Sequence, residues 1–251
     1  MDFILTSAFF CFGAVLASFI TVIAERLYTG QSWVSGRSRC NSCSVELTSV
    51  DLVPVASWVF FRGRCRTCGS KVPLSYAVGE LTLGVLFGAS YLTLGLSASL
   101  AAFLIFLSIL AFIVLYDFRH TVVPRTASWL LLISAGIYAV LASGTERELG
   151  ATLLFAGCVS LFFLVLHVAS KGRAMGLGDA PVALAMALMV GSTLAVAGLL
   201  FSFWIGGVVG IAILAMTPRG HRMGIEVPFV PFLAAGYLLA FFTQWNPLPL
   251  F

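Results

Sequence analysis

The chain has 251 residues, of which 60% are hydrophobic and 10% charged, with a formal net charge of +4; soluble domains carry about 25% charged residues. That composition excludes an ordinary soluble domain and identifies an all-α integral membrane protein. The positive charge calls for no nucleic acid, because its placement along the chain has a membrane explanation.

A spanning helix needs about 20 apolar residues to cross roughly 30 Å of hydrocarbon, and it satisfies its own backbone groups while doing so. In chain order the expected spans are residues 3–24, 75–93, 98–116, 127–142 and 149–168. The run 180–216 holds 37 residues without a charge, enough for two spans, with a turn expected between residues 193 and 200. A last span at 227–242 brings the total to about eight. The first run has no basic residue ahead of its apolar core and exceeds the ~7–15 residues of a signal-peptide core, so it is expected to stay as the first helix.

Basic residues orient this map. With both termini outside, alternation puts Arg26, Arg37, Arg39, Arg62, Arg64, Arg66, Lys71, Arg119, Arg125, Lys171, Arg173, Arg219 and Arg222 on the cytoplasmic side and leaves only Arg147 outside. That is the asymmetry of the positive-inside rule. A seven-span map breaks it, since Lys171 and Arg173 must share a side with Arg219 and Arg222. For any one of these residues, a topology signal beside an anionic leaflet is a sufficient role.

Between the first and second spans lies the one sizeable polar region, "GRSRCNSCSVELTSVDLVPVASWVFFRGRCRTCGSKVP". Cys40 and Cys43 form one C-x-x-C, Cys65 and Cys68 another, with 21 residues between the pairs. Four thiolates suit a tetrahedral Zn²⁺ that replaces a core too small to form unaided. Gly63 and Gly69 flank the second pair and suit tight turns. Reducing cytoplasm disfavours two disulfides; a redox pair set and an iron–sulfur centre are the alternatives. With four thiolates and no open position, the metal is structural. Cys11 and Cys158 fall inside spans and are expected to be buried apolar residues. The expected organisation is therefore residues 1–26 as the first membrane helix, 27–74 as a cytoplasmic zinc-binding region, and 75–251 as a seven-helix membrane region.

Two acids stand out in that last region. Asp117 ends the third span in "YDFRHTVVP", and Asp179 opens the sixth in "GLGDAP", 62 positions later but on the same cytoplasmic face. An ionisable residue at membrane depth is costly and points to function. Asp179 has a plainer alternative as a helix N-cap after Gly176 and Gly178, and Asp117 as the partner of Arg119 or Arg125. Neither explains why both reach one face. Two carboxyls sharing a site cannot both ionise comfortably, so one keeps a proton while the other acts as base toward a water. That pair fits peptide hydrolysis; proton-coupled transport is the alternative from the same residues.

Taken together, these motifs resemble the type IV prepilin leader peptidases, membrane aspartic peptidases of the GxGD kind. "GLGD" (176–179) is similar to the family motif, "YDFRHTVVP" (116–124) to the segment of the first family aspartate, and the paired cysteines with "DLVPVASW" (51–58) and "SYAVGEL" (75–81) to the zinc region and entry into the second span. The chain departs from the family in having Ala180-Pro181-Val182 after Asp179, where a lysine is usual and for which Lys171 and Arg173 are the candidate spatial substitutes. It also has Glu25 where an aromatic residue is common.

The resemblance implies catalytic Asp117 and Asp179. It further implies a bacterial inner-membrane enzyme, facing the cytoplasm, that removes the basic leader of type IV prepilins or pseudopilins after a Gly. Many members also methylate the new N-terminus with S-adenosylmethionine, while others are peptidases alone. Glu46, Asp51 and Glu80 are then candidates to meet the leader or take part in methyl transfer at the cytoplasmic rim, with pairing to arginines as the plainer role. No glycine-rich nucleotide loop is present, so a methyl-donor site must be built from the zinc region and helix ends. Substrates and the lipid bilayer are the partners implied; oligomeric state is not indicated.

Overall fold

The computed structural model describes residues 1–27, 32, 36–172, 175–217 and 227–247. Arg173, Arg219 and Arg222, three basic residues of the topology reading, lie outside the described residues. Every regular element of the described chain is a helix, and strand-like pairing is limited to two isolated bridges. Its contacts divide it into two units, Met1–Leu100 and Ala101–Phe251.

The first unit is built on two long helices, α1 (Asp2–Arg26) and the later α3 (Leu74–Leu94), with a short α2 (Ala56–Phe60) in the polar segment between them. α1 and α3 approach closely because glycines remove side chains from the seam. A Cβ on Gly13 would stand 2.7 Å from the Leu83 carbonyl oxygen, and one on Gly84 would stand 3.0 Å from Phe10. Small residues at such spacing are how membrane helices gain contact without a hydrophobic driving force between them. Phe9 stacks on Tyr91 at 5.2 Å along the same seam.

The second unit holds α4 (Ala98–His120), which starts at the boundary, and then α5 (Arg125–Ala142), α6 (Glu146–Ala169), α7 (Asp179–Val190), α8 (Ser192–Met216) and α9 (Val230–Thr243). Its core is aromatic and small by turns. Phe103 of α4 stacks on Phe241 of α9 at 4.5 Å and meets Tyr138 of α5 at 5.2 Å. α8 and α9 cross where Gly198 faces the Tyr237 ring and Gly236 faces Ser202, with no room for a Cβ at either glycine. Ser202 Oγ donates within its helix to the Gly198 carbonyl and across to Leu233.

Six of these helices are long and apolar enough to cross a membrane: α1, α3, α4, α5, α6 and α8. Their large apolar side chains, such as Phe12, Leu154, Val208 and Ile211, are exposed outward as lipid contact requires. The chain is a multi-pass membrane protein. α7 and α9 are different, since their 12 and 14 residues rise only about 18 and 21 Å at 1.5 Å per residue. Ten residues of α7 are buried among α5, α6, α8 and α9.

Two expectations change. The turn within 180–216 falls at Gly191, not between 193 and 200, because Gly191 takes φ +83°, a left-handed conformation that stops α7 and lets α8 begin one residue later. Cys11 and Cys158 are exposed on their helices rather than buried. A polarizable, nearly apolar thiol is as acceptable toward lipid as toward a core.

Candidate functional site

In the first unit the polar segment is organised around the four cysteines. Among residues 36–73 only Gly63 is buried, so this region has almost no core of its own. The two C-x-x-C turns are near copies. Ser44 N–H donates to the Cys40 carbonyl at 2.9 Å and Gly69 N–H donates to the Cys65 carbonyl at 2.9 Å. Ser44 and Gly69, each just after its second cysteine, take φ +58° and +71°. Antiparallel bridges Arg39–Glu46 and Arg64–Lys71 close the two loops.

This folding brings the sulfurs of Cys40, Cys43, Cys65 and Cys68 within 4.8 Å of one another. Cys40 Sγ and Cys68 Sγ are 3.8 Å apart, close to the separation that a tetrahedron with Zn–S bonds of about 2.3 Å imposes. Ser70 Oγ lies 3.1 Å from Cys68 Sγ and 3.5 Å from Cys40 Sγ, placed to support both ligands. Hydrogen bonds from the Cys43 backbone and then the Ser70 hydroxyl lower the Cys40 thiol to about 6, toward the thiolate a metal takes. The cluster is thus able to coordinate a metal. Gly63 is required for another reason than turn geometry alone: a Cβ there would meet the Trp58 ring at 2.8 Å.

The three rim acids are all engaged locally. Glu46 accepts from Arg39 at 2.8 Å and pairs with Arg37 at 3.8 Å. Asp51 accepts from the Thr48 hydroxyl at 2.6 Å and the Thr48 N–H at 2.9 Å, with Arg66 at 3.5 Å; the Thr48 bonds chiefly hold its carboxyl below the usual range. Glu80 accepts the Val55 N–H at 2.7 Å. Val55 has φ +61°, unusual for a β-branched residue, so this carboxylate pins a strained turn. Asp51 and Glu80, with Glu25, Trp58 and Tyr76, line a cavity of about 240 Å³ between the four-cysteine region and the ends of α1 and α3. Tyr76 Oη donates to Glu25. Glu25 and Tyr76 are functional candidates that reading by motif passes over. The replacement of an aromatic residue by Glu25 was the available signal.

In the second unit the two aspartates are brought together. Asp117 on the last turns of α4 is 4% exposed and Asp179 at the start of α7 is 8% exposed. The Asp117 carboxyl acts electrostatically on that of Asp179. Their flanking segments touch, since a Cβ on Gly178 would come within 3.1 Å of Val123 Cβ. The glycine of the motif is therefore a spacer that lets the turn before α7 lie against the segment after α4.

The plainer roles are not the ones observed. The N-cap of α7 is Gly178, with no side-chain cap; Asp179 is already helical, and its Oδ2 accepts from the Gly176 N–H at 3.1 Å. Asp117 accepts from the Val230 N–H at the start of α9, and its Oδ2 is buried with no hydrogen-bond partner. A buried carboxyl oxygen left without a donor is unusual, and this one stands near a second carboxyl. Motif reading had no means of finding the Val230 amide, because a backbone donor leaves no mark on residue identity.

Comparison with known proteins agrees with this division. The model of the bacterial peptidase A24 N-terminal domain matches residues 11–94, within the first unit, and that of the type IV leader peptidase family matches 104–211, within the second. The chain is 30% identical over 238 residues to a prepilin leader peptidase/N-methyltransferase of Bacillus subtilis (strain 168), covering 94% of this chain and 93% of that protein. It is 30% identical over 213 residues to a protein of the same description from Myxococcus xanthus (strain DK1622), covering 84% of this chain and 63% of that longer protein. No solved structure matches. Similarity along nearly the full length of a relative, with both family regions in order, shows that the chain is an enzyme belonging to the type IV leader peptidase family.

Proposed function

We propose that the chain is an inner-membrane aspartic endopeptidase that removes the basic leader of type IV prepilins or pseudopilins, and that it methylates the new N-terminus. The observation that carries the first part is the buried pairing of Asp117 and Asp179, each held by a backbone N–H and one with an oxygen to spare. The ionised partner draws a proton from water as that water attacks the scissile carbonyl. The protonated partner donates to the carbonyl oxygen; the first carboxyl, now carrying the proton from water, passes it to the leaving nitrogen as the C–N bond breaks, and the second recovers its proton from the tetrahedral hydroxyl. The relatives in Bacillus subtilis and Myxococcus xanthus, both prepilin leader peptidase/N-methyltransferases, support both halves of the reading.

Methyl transfer is assigned to the first unit, and S-adenosylmethionine to the cavity lined by Glu25, Asp51, Glu80, Trp58 and Tyr76. Carboxylates and aromatic faces suit its sulfonium cation, and the cofactor supplies the methyl group when bound. The four cysteines hold a structural Zn²⁺ that sets the cavity wall. Co-expression of the full chain with candidate prepilins, followed by mass spectrometry of the mature N-terminus, tests the assignment. Loss of the leader together with one added methyl group is expected. A leader cut without methylation marks a peptidase alone. Uncut substrate across a panel that an established relative processes overturns the assignment, as does cutting that requires a proton gradient, which detergent-purified enzyme lacks.

The eight-span map with both termini outside is also proposed, with the short α7 and α9 crossing inside a sheath of neighbouring helices. Reporter fusions after residues 30, 122, 174 and 222 are expected to report cytoplasm. A periplasmic signal at any of them refutes the map.

A further inference from the structure

We propose that His167, near the end of α6, is the positioning residue of the GLGD aspartate, acting through the Met175–Gly176 peptide group. The geometry is a continuous chain of hydrogen bonds. His167 Nδ1 lies 2.8 Å from the Met175 carbonyl oxygen, and the N–H of the next residue, Gly176, donates to Asp179 Oδ2 at 3.1 Å. A carbonyl only accepts, so Nδ1 carries the proton. The C=O and N–H so engaged belong to one planar peptide unit. The imidazole and the carboxyl therefore grip opposite ends of a single rigid plate, and rotation of that plate breaks both bonds together.

Two further features fix the ring itself. The His167 carbonyl accepts from the Gly172 N–H at 2.8 Å and from Ser170 Oγ at 3.2 Å, so the end of α6 closes on itself at this residue. Gly172 takes φ +74°, and a Cβ there would come within 3.3 Å of the ring's Cε1, so the chain folds back over the imidazole. Electrostatics act in the same direction. Donation to the Met175 carbonyl polarises the peptide and strengthens the Gly176 N–H as a donor to the carboxylate. His167 does not touch the reacting atoms; it sets where Asp179 Oδ2 stands relative to Asp117.

This role rests on the peptidase reading, and its test has one readout that does not. Three variants of the purified full chain separate ring, donor and position. His167→Phe keeps the ring without the donor, His167→Asn restores a donor where Nδ1 was, and His167→Gln puts one where Nε2 was. In hydrogen exchange, the segment containing Gly176 is expected to exchange about tenfold faster in His167→Phe and His167→Gln, and at the native rate in His167→Asn. In prepilin cleavage, His167→Phe is expected to lose roughly 10- to 100-fold in kcat with KM unchanged, the scale of a misplaced catalytic group. His167→Asn is expected to recover most of that loss. Native exchange and kcat in His167→Phe overturn the proposal, and so does a loss that falls on KM or that His167→Asn fails to rescue. Should His167→Phe not fold, the contrast between His167→Asn and His167→Gln decides in the same two readouts. A native chain that cuts no prepilin defeats the peptidase reading instead, while the exchange result still decides the anchoring role.

Discussion

Replacing Asp117 or Asp179 by asparagine is expected to lower leader cleavage by about 10²- to 10⁴-fold, the usual contribution of a positioned acid or base. That is roughly 3 to 5 kcal/mol of barrier at 1.36 kcal/mol per tenfold. The substitution is close to isosteric, and an amide oxygen can still accept from Val230 N–H or Gly176 N–H, the donors that hold the two carboxyls. Loss of activity with retained folding is therefore the expected combination. The double variant is expected to be little worse than either single one, because groups acting as a unit are not additive. Rates on a purified prepilin, with thermal unfolding as the control, check this. Full cleavage by Asp179→Asn would sink the assignment of the GLGD aspartate, and multiplicative losses in the double variant would show that the two carboxyls act separately. Methylation of a supplied mature N-terminus is expected to survive both changes, since the cavity assigned to it lies in the other unit.

The second large effect concerns the metal. Cys40→Ser is expected to abolish stoichiometric zinc and to leave residues 36–73 open to proteolysis. A hydroxyl does not replace a thiolate ligand, and structural zinc supplies on the order of 10 kcal/mol or more of folding free energy in small sites. The dependence is acute here because Gly63 is the only buried residue in that stretch. Chelation of the native protein is expected to open the same stretch reversibly, with zinc restoring it. Metal analysis and limited proteolysis are the measurements. One zinc per chain in a protein with all four cysteines replaced would place the metal elsewhere.

How far the sequence carried depended on the kind of interaction. The long helices were legible because hydropathy alone sets them: runs at 3–24, 75–93, 98–116, 127–142 and 149–168 became α1, α3, α4, α5 and α6 with ends extended by a few residues. Paired cysteines were legible because ligand spacing is local. Gly191 was harder, since a glycine in an apolar run is as often helical as not, and only the left-handed φ makes it a break. The seam between α1 and α3 had a readable sign in Gly84 and Gly88, four residues apart, yet its partner Gly13 is recognised only from the contact. At the candidate site, the pairing of Asp117 with Asp179 followed from placing both at one face. What anchors them did not. Val230 contributes a backbone N–H, and His167 works through a peptide bond eight residues further along, so neither belongs to a motif.

The shortness of α7 bears on when the enzyme comes into being. A segment rising about 18 Å cannot span some 30 Å of hydrocarbon as an independent helix. Its ten buried residues are solvated by protein rather than by lipid. Insertion of the longer helices precedes their association, so α7 acquires a stable place only as α5, α6, α8 and α9 gather around it. Asp179 travels with it. On the roles proposed for Asp117 and Asp179, a partly assembled chain carries its two carboxyls apart, and hydrolysis becomes available only in the completed bundle, as a late product of maturation rather than a hazard during it.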